Sequence, residues 1–304
     1  MIWHKRWFQF TILMILAFIW GSSFILMKIG IMSFSSAQAA ALRIFLASLV
    51  LAPIAIKQIN KLQRKDLVSL LIVGFIGSFF PAFMFMEAET RIDSALAGML
   101  NSLTPVFTLI VGLIFHRTAF RWMQAIGLSL GLIGATGLIL AGDGIQIGTM
   151  NSYALYIVLA TLFYAISINQ IKSKLSHLTG VQVTSFSFLF IGPVALIYLL
   201  TTDFAPVLAN PSWPLHFLAL ATLGIIGSAM AMLLMNSLIR YSSAIAASSV
   251  TYVIPVFAIL WGLLLGERVT WLHVFCMFLI LAGVYVINWK WNKGKATTKG
   301  IEKA

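Results

Sequence analysis

Long apolar runs separated by short polar gaps set the rhythm of this chain. A membrane-spanning helix needs about 20 mostly apolar residues. Ten such runs occur, at 8–28, 36–56, 67–87, 94–115, 122–141, 152–171, 181–200, 215–236, 244–265 and 269–289. Segments such as 69–80 (SLLIVGFIGSFF) are apolar on every side. Barrel strands would instead alternate over roughly ten residues, so the runs predict helices. The first run follows Lys5 and Arg6, as a cleaved leader would, but it is long enough to span and further spans follow at once. It is therefore expected to be a retained helix. The gaps leave no room for a separate soluble domain, and the basic segment 290–304 is expected to be a disordered cytoplasmic tail.

Composition agrees. Hydrophobic residues make up 61% of the 304 and charged residues 9%, whereas soluble domains carry roughly 25% charged residues. The net charge of +12 would suggest nucleic acid in a soluble protein. Here the basic residues sit in the gaps, and no nucleic-acid partner is expected. With the N-terminus inside, every Lys and Arg except Lys28, Arg43, Arg91 and Arg268 falls on the cytoplasmic side. Glu87, Glu89, Asp93, Asp143, Asp203 and Glu267 fall on the other. The positive-inside rule then puts both termini in the cytoplasm, and a bacterial inner membrane is the expected location. The single Cys276 and five scattered histidines offer no metal-ligand spacing, so no metal and no cofactor is expected.

The chain also repeats itself. Gly74-Phe75-Ile76-Gly77-Ser78 matches Gly224-Ile225-Ile226-Gly227-Ser228, and Pro105-Val106-Phe107 matches Pro255-Val256-Phe257. Ser94-Ala95-Leu96-Ala97 resembles Ser243-Ala244-Ile245-Ala246, while helices 1–2 and 6–7 align weakly. The implied units are residues 1–142 and 143–289. Five is odd, so the second unit enters the membrane inverted. The predicted fold is all-α and polytopic: ten transmembrane helices as two inverted five-helix repeats around a central cavity. Inverted repeats suit a secondary transporter, because the two halves can exchange conformations of similar energy. An intramembrane enzyme would need a midplane constellation of acids or a Ser–His pair, and a channel a continuous polar pore. Neither is legible, and no catalytic residue is expected.

Several motifs resemble the EamA family of drug/metabolite transporters: Trp20-Gly21-Ser22-Ser23-Phe24, Ala41-Leu42-Arg43, Pro255-Val256-Phe257 leading to Gly266-Glu267-Arg268, and Leu281-Ala282-Gly283-Val284-Tyr285. The resemblance implies export or exchange of small metabolites such as amino acids. One departure is His116-Arg117 where the second half has Gly266-Glu267, so the Gly-Glu turn is present once.

Polar residues inside the spans are the candidate site. An Arg within a span is costly and must find partners. Arg43 is expected to pair with Glu87, Glu89 or Glu267 near an outer gate, to anchor a substrate carboxylate, or to snorkel to the interface. Pro105 and Pro255 are expected to kink helices 4 and 9. Asn101 and Thr104 beside the first proline, and Thr251 and Tyr252 beside the second, are candidate substrate contacts or plain interhelical hydrogen bonds. Trp20 and Ser23 on helix 1 and Tyr164 on helix 6 are candidates for the cavity wall, with core packing the alternative. No Asp or Glu lies near the middle of a span. That argues against a proton relay. The resemblance adds that the related small multidrug pumps depend on a membrane-buried acid in their first helix; helix 1 here has none, which argues against cationic drugs and favours zwitterionic or neutral solutes, with the energy source open. Uptake is left open beside export, as is an oligomer beside the monomer.

Overall fold

The computed structural model describes residues 5–116, 122–141, 152–241 and 249–288, together with Trp3 and Ala247. Among them every regular element is helical. The ten main apolar helices among the described residues are α1 (Arg6–Gly30), α2 (Ser36–Lys57), α3 (Arg64–Ala88), α4 (Ser94–Asn101 continuing as Thr104–His116), α5 (Trp122–Ala141), α6 (Ala154–Lys174), α7 (Gly180–Leu200), α8 (Trp213–Tyr241), α9 (Val250–Leu264) and α10 (Trp271–Asn288). Eight are long and apolar enough to cross a membrane, and α9 and α10 are shorter apolar helices. Phe10, Phe18, Leu49, Ile133, Leu200, Phe275 and Phe278 point outward. Such a surface suits lipid and not water.

Helix starts follow local chemistry. Ser35 caps α2 and Thr179 caps α7, each in a capping box whose Gln (Gln38, Gln182) bonds back to the cap backbone. Each box satisfies two otherwise orphaned donors. These paired boxes extend the internal repeat into α2 and α7, where residue matching was weak. The GxxGS repeats also behave alike: each forms a π-helical stretch, Phe75–Phe79 in α3 and Leu223–Met230 in α8. The chain runs on past the expected end of α8 at 236. Asn236 finds Thr184 on α7 (Nδ2 to Oγ1, 2.8 Å), Ser237 bonds back to the Leu233 carbonyl, and Leu238 and Ile239 are buried.

The bundle has a basic end and an acidic end. At the basic end Gln9 reaches the Tyr241 carbonyl, Lys172 donates to the Ile239 carbonyl at 3.0 Å, and His177 meets Asp66. At the acidic end Ser33 meets His216, Ser36 donates to Glu87, and Gln38 donates to the Asp203 carbonyl. Thus α1 runs from the basic to the acidic end, while its counterpart α6 runs from Ala154 at the acidic end to Lys174 at the basic end. The repeats are inverted.

The two halves interlock. A Cβ on Gly74 of α3 would meet the Ser187 carbonyl of α7 at 3.0 Å, and one on Gly224 of α8 would meet the Arg43 carbonyl of α2 at 2.9 Å. The same close approach is thus made twice, and it pairs Arg43 with Ser187 as equivalent positions. Helices α5 and α10 pack through small residues: a Cβ on Gly134 would meet the Cys276 carbonyl at 2.6 Å, and one on Gly283 the Gly131 nitrogen at 2.8 Å. Without a hydrophobic drive between helices in lipid, such close backbone contact is what holds them. Gly283→Val should therefore destabilise the protein by about 1–3 kcal/mol, read as a lower thermal unfolding temperature in detergent, whereas Phe278→Leu on the lipid face should leave it unchanged.

Candidate functional site

The site is built where α4 and α9 break. Pro105 is the second residue of Thr104–His116, and Pro255 the second of Ile254–Leu264. A proline lacks the N–H that would satisfy the carbonyl four residues back, here those of Asn101 and Thr251. The expected kinks are in fact breaks, because each proline opens a new helical segment instead of bending a continuous one. Thr104 Oγ1 donates to the Asn101 carbonyl at 2.8 Å, and Ser102 Oγ of the first half donates to the Thr251 carbonyl of the second at 2.9 Å. One half therefore satisfies the backbone of the other at the centre of the bundle.

Around these breaks lies a cavity of about 110 Å³. Seven of the eight candidate contacts line it: Trp20, Ser23, Arg43, Asn101, Thr104, Tyr164 and Thr251. Tyr252 does not, because the tight turn Ser249–Tyr252 presents Thr251 to the cavity and leaves Tyr252 packed against the apolar core. The Trp20 indole N–H donates to the Gly227 carbonyl at 2.9 Å, so Trp20 ties α1 to the π-helical stretch of α8. Tyr164 stacks on Phe85, which leans on Phe24. These rings make an aromatic wall.

Arg43 takes none of the three expected acids. Its Nε donates to Ser228 Oγ at 2.6 Å, and Nη1 lies 4.0 Å from the Met27 sulfur. The acids are engaged elsewhere: Glu87 with Ser36, Glu89 with Ser94 Oγ, and Glu267 with the Ser94 and Ala95 backbone N–H groups at 3.0 Å each. The reason is reach. Arg43 lies seven residues into α2, about 10 Å along the axis, and its side chain turns towards mid-α8 and away from the acidic end. Glu267 owes its place to Gly266, whose φ of +80° ends α9 in a Schellman turn. This aims the carboxylate at the α4 N-terminus, where negative charge is favoured. Its first-half counterpart, Arg117, lies outside the described residues.

Three cavity groups escaped the sequence reading. Asn236 Oδ1 and Ser78 Oγ line the cavity and are buried without a hydrogen-bond partner, as is the expected Asn101 Oδ1. Ser228 holds Arg43. Ser78 and Ser228 are the same position of the two repeats, and that identity was the available signal. Asn236 had the look of a helix end.

A family model of EamA-like transporters matches residues 8–140 and 151–289, once for each half. The chain belongs to the EamA-like transporter family. It is 26% identical over 287 residues to the inner membrane transporter YedA of Escherichia coli (strain K12), covering 91% of this chain and 92% of that one. It is 24% identical to a probable terminal-alkyne amino-acid exporter of Streptantibioticus cattleyicolor (88% and 89% covered), and 24% identical to an S-adenosylmethionine/S-adenosylhomocysteine transporter of Chlamydia trachomatis (83% and 80% covered). A solved crystal structure shares the fold with a TM-score of 0.66 at 16% identity, covering 93% of this chain and 97% of that one. This EamA-like transporter is a multi-pass membrane protein that moves small molecules. Removing the cross-repeat donor by Ser102→Ala should cost it about 1 kcal/mol, seen as a lower unfolding temperature in detergent, with Ser102→Thr restoring most of the loss.

Proposed function

We propose that this protein is a secondary carrier that exports amino acids or similar zwitterions across a bacterial inner membrane by alternating access. Its basic end and both termini face the cytoplasm, and it works as a monomer, since one chain builds the whole cavity. The repeats divide near residues 142 and 143. The observation that carries this reading is Arg43. Its guanidinium lines the cavity, with Nε on Ser228 and Nη1 beside the Met27 sulfur, and no carboxylate among the described residues lies against it. A guanidinium presents five N–H donors in a fixed fork that matches a carboxylate. The orphaned acceptors Asn101 Oδ1 and Asn236 Oδ1 are suited to N–H donors such as an ammonium group. The aromatic wall of Phe24, Phe85 and Tyr164 takes the remainder of the molecule. The amino acid named for the Streptantibioticus exporter and S-adenosylmethionine, named for the chlamydial protein, both carry a carboxylate and an ammonium group, which supports the same chemistry.

The test is counterflow of radiolabelled amino acids in proteoliposomes holding the purified protein. Saturable counterflow is expected. Linear conductance would mark a channel, and chemical conversion an enzyme. Arg43→Gln should raise the KM by at least about 30-fold, since truncating one partner of a buried charge pair costs 2–5 kcal/mol. Arg43→Lys should recover only part of this, because it loses the fork. A folded Arg43→Gln protein with wild-type counterflow would overturn the assignment.

A further inference from the structure

At the acidic end a contact joins the two halves. Glu267, on the turn after α9, holds the Ser94 and Ala95 N–H groups that begin α4. A second carboxyl reaches the same serine: Glu89 Oε2 accepts from Ser94 Oγ at 3.0 Å. Glu89 is 1% exposed, and its Oε1 is buried with no hydrogen-bond partner. The sequence reading placed every acid at a helix end and found no proton relay. Glu89 is indeed just past the end of α3, yet the fold buries it completely.

Two carboxylates on one residue cannot both be ionised cheaply. Glu267 has two backbone donors and the positive end of a helix to hold its charge. Glu89 has one hydroxyl and an orphaned oxygen, and a buried charge without partners is far costlier than a buried neutral acid. Resting on the transport reading above, we propose that Glu89 is a proton-binding site that latches the acidic end of the carrier. The closed end holds Glu89 as the neutral acid, and loss of its proton sets a second negative charge beside Glu267 and frees α4 from the Gly266–Glu267 turn. The charged groups that face Glu89 are Lys28 of α1, Glu267, and Asp93 on its own loop. Burial raises the carboxyl to about 8 from 4.5; Lys28 and the Ser94 hydroxyl oppose this, and Glu267 and Asp93 add to it.

The sign follows. The closed end binds a proton that the open, hydrated end releases, so rising pH favours opening. The opening equilibrium should grow by up to about tenfold per pH unit between the ordinary carboxylate value of 4.5 and about 8, then level off. Spin labels at Thr90→Cys and Leu265→Cys, on a Cys276→Ala background in lipid nanodiscs, read the separation of the two halves at this end without any substrate. Glu89→Gln should remain closed and lose the pH dependence. Glu267→Gln should move the plateau to lower pH, and Ser94→Ala to higher pH. Infrared difference spectra of the wild type should show a protonated carboxyl band at pH 6 that Glu89→Gln lacks. An unchanged pH dependence in Glu89→Gln, or an unchanged carboxyl band, would overturn the proposal. These readouts are independent of Arg43, so a failure of the carboxylate assignment would leave them intact, and the reverse.

Discussion

Inside a bilayer no water is at hand to satisfy a backbone carbonyl, so every N–H and C=O must find its partner within the protein. This constraint governs the centre of the molecule. Pro105 and Pro255 each release a carbonyl at mid-bundle, and the protein answers with hydroxyls: Thr104 from within the same helix, and Ser102 from across the repeat boundary. The broken helices can exist only because they face one another around a shared cavity. The same two breaks thus create the cavity and bind the halves together at its edge.

The architecture is symmetric in its backbone and asymmetric in its chemistry. Helices α3 and α8 carry the same π-helical stretch, and each presses a glycine against a carbonyl of α7 or α2. At that shared position one half has Arg43 and the other Ser187. Arg43 reaches Ser228 of α8, while Ser187 turns to the Leu70 carbonyl, which leaves Ser78, the counterpart of Ser228, without a partner. Under the proposed alternating access, such a pair of scaffolds would supply two conformations of similar energy. Arg43 on one wall gives the cavity a polarity, which on the proposed reading orients a solute that carries a carboxylate at one end. The acidic end repeats the lesson, since the Gly266–Glu267 turn caps the opposite half and its first-half equivalent has other residues.

What the sequence determined alone was what depends on period and composition. Lipid as solvent forces long apolar runs, so the helices and their number could be read directly, although α8 runs on past the end its apolar run suggests. Odd parity made the repeat inverted, and Trp20, Ser23, Arg43, Asn101, Thr104, Tyr164 and Thr251 stood out because polar or bulky groups are rare in such runs. Tertiary structure alone decided how those groups are aimed. Tyr252 left the cavity because a tight turn rotates neighbouring residues apart by an angle that no spacing reveals. Arg43 chose Ser228 over three acids because a long side chain can point either way along its helix. Glu89, at a helix end by count, was buried by packing from α1, α4 and the turn after α9. Burial and direction arise from contacts between segments far apart in the chain, and the pattern along any one segment does not contain them.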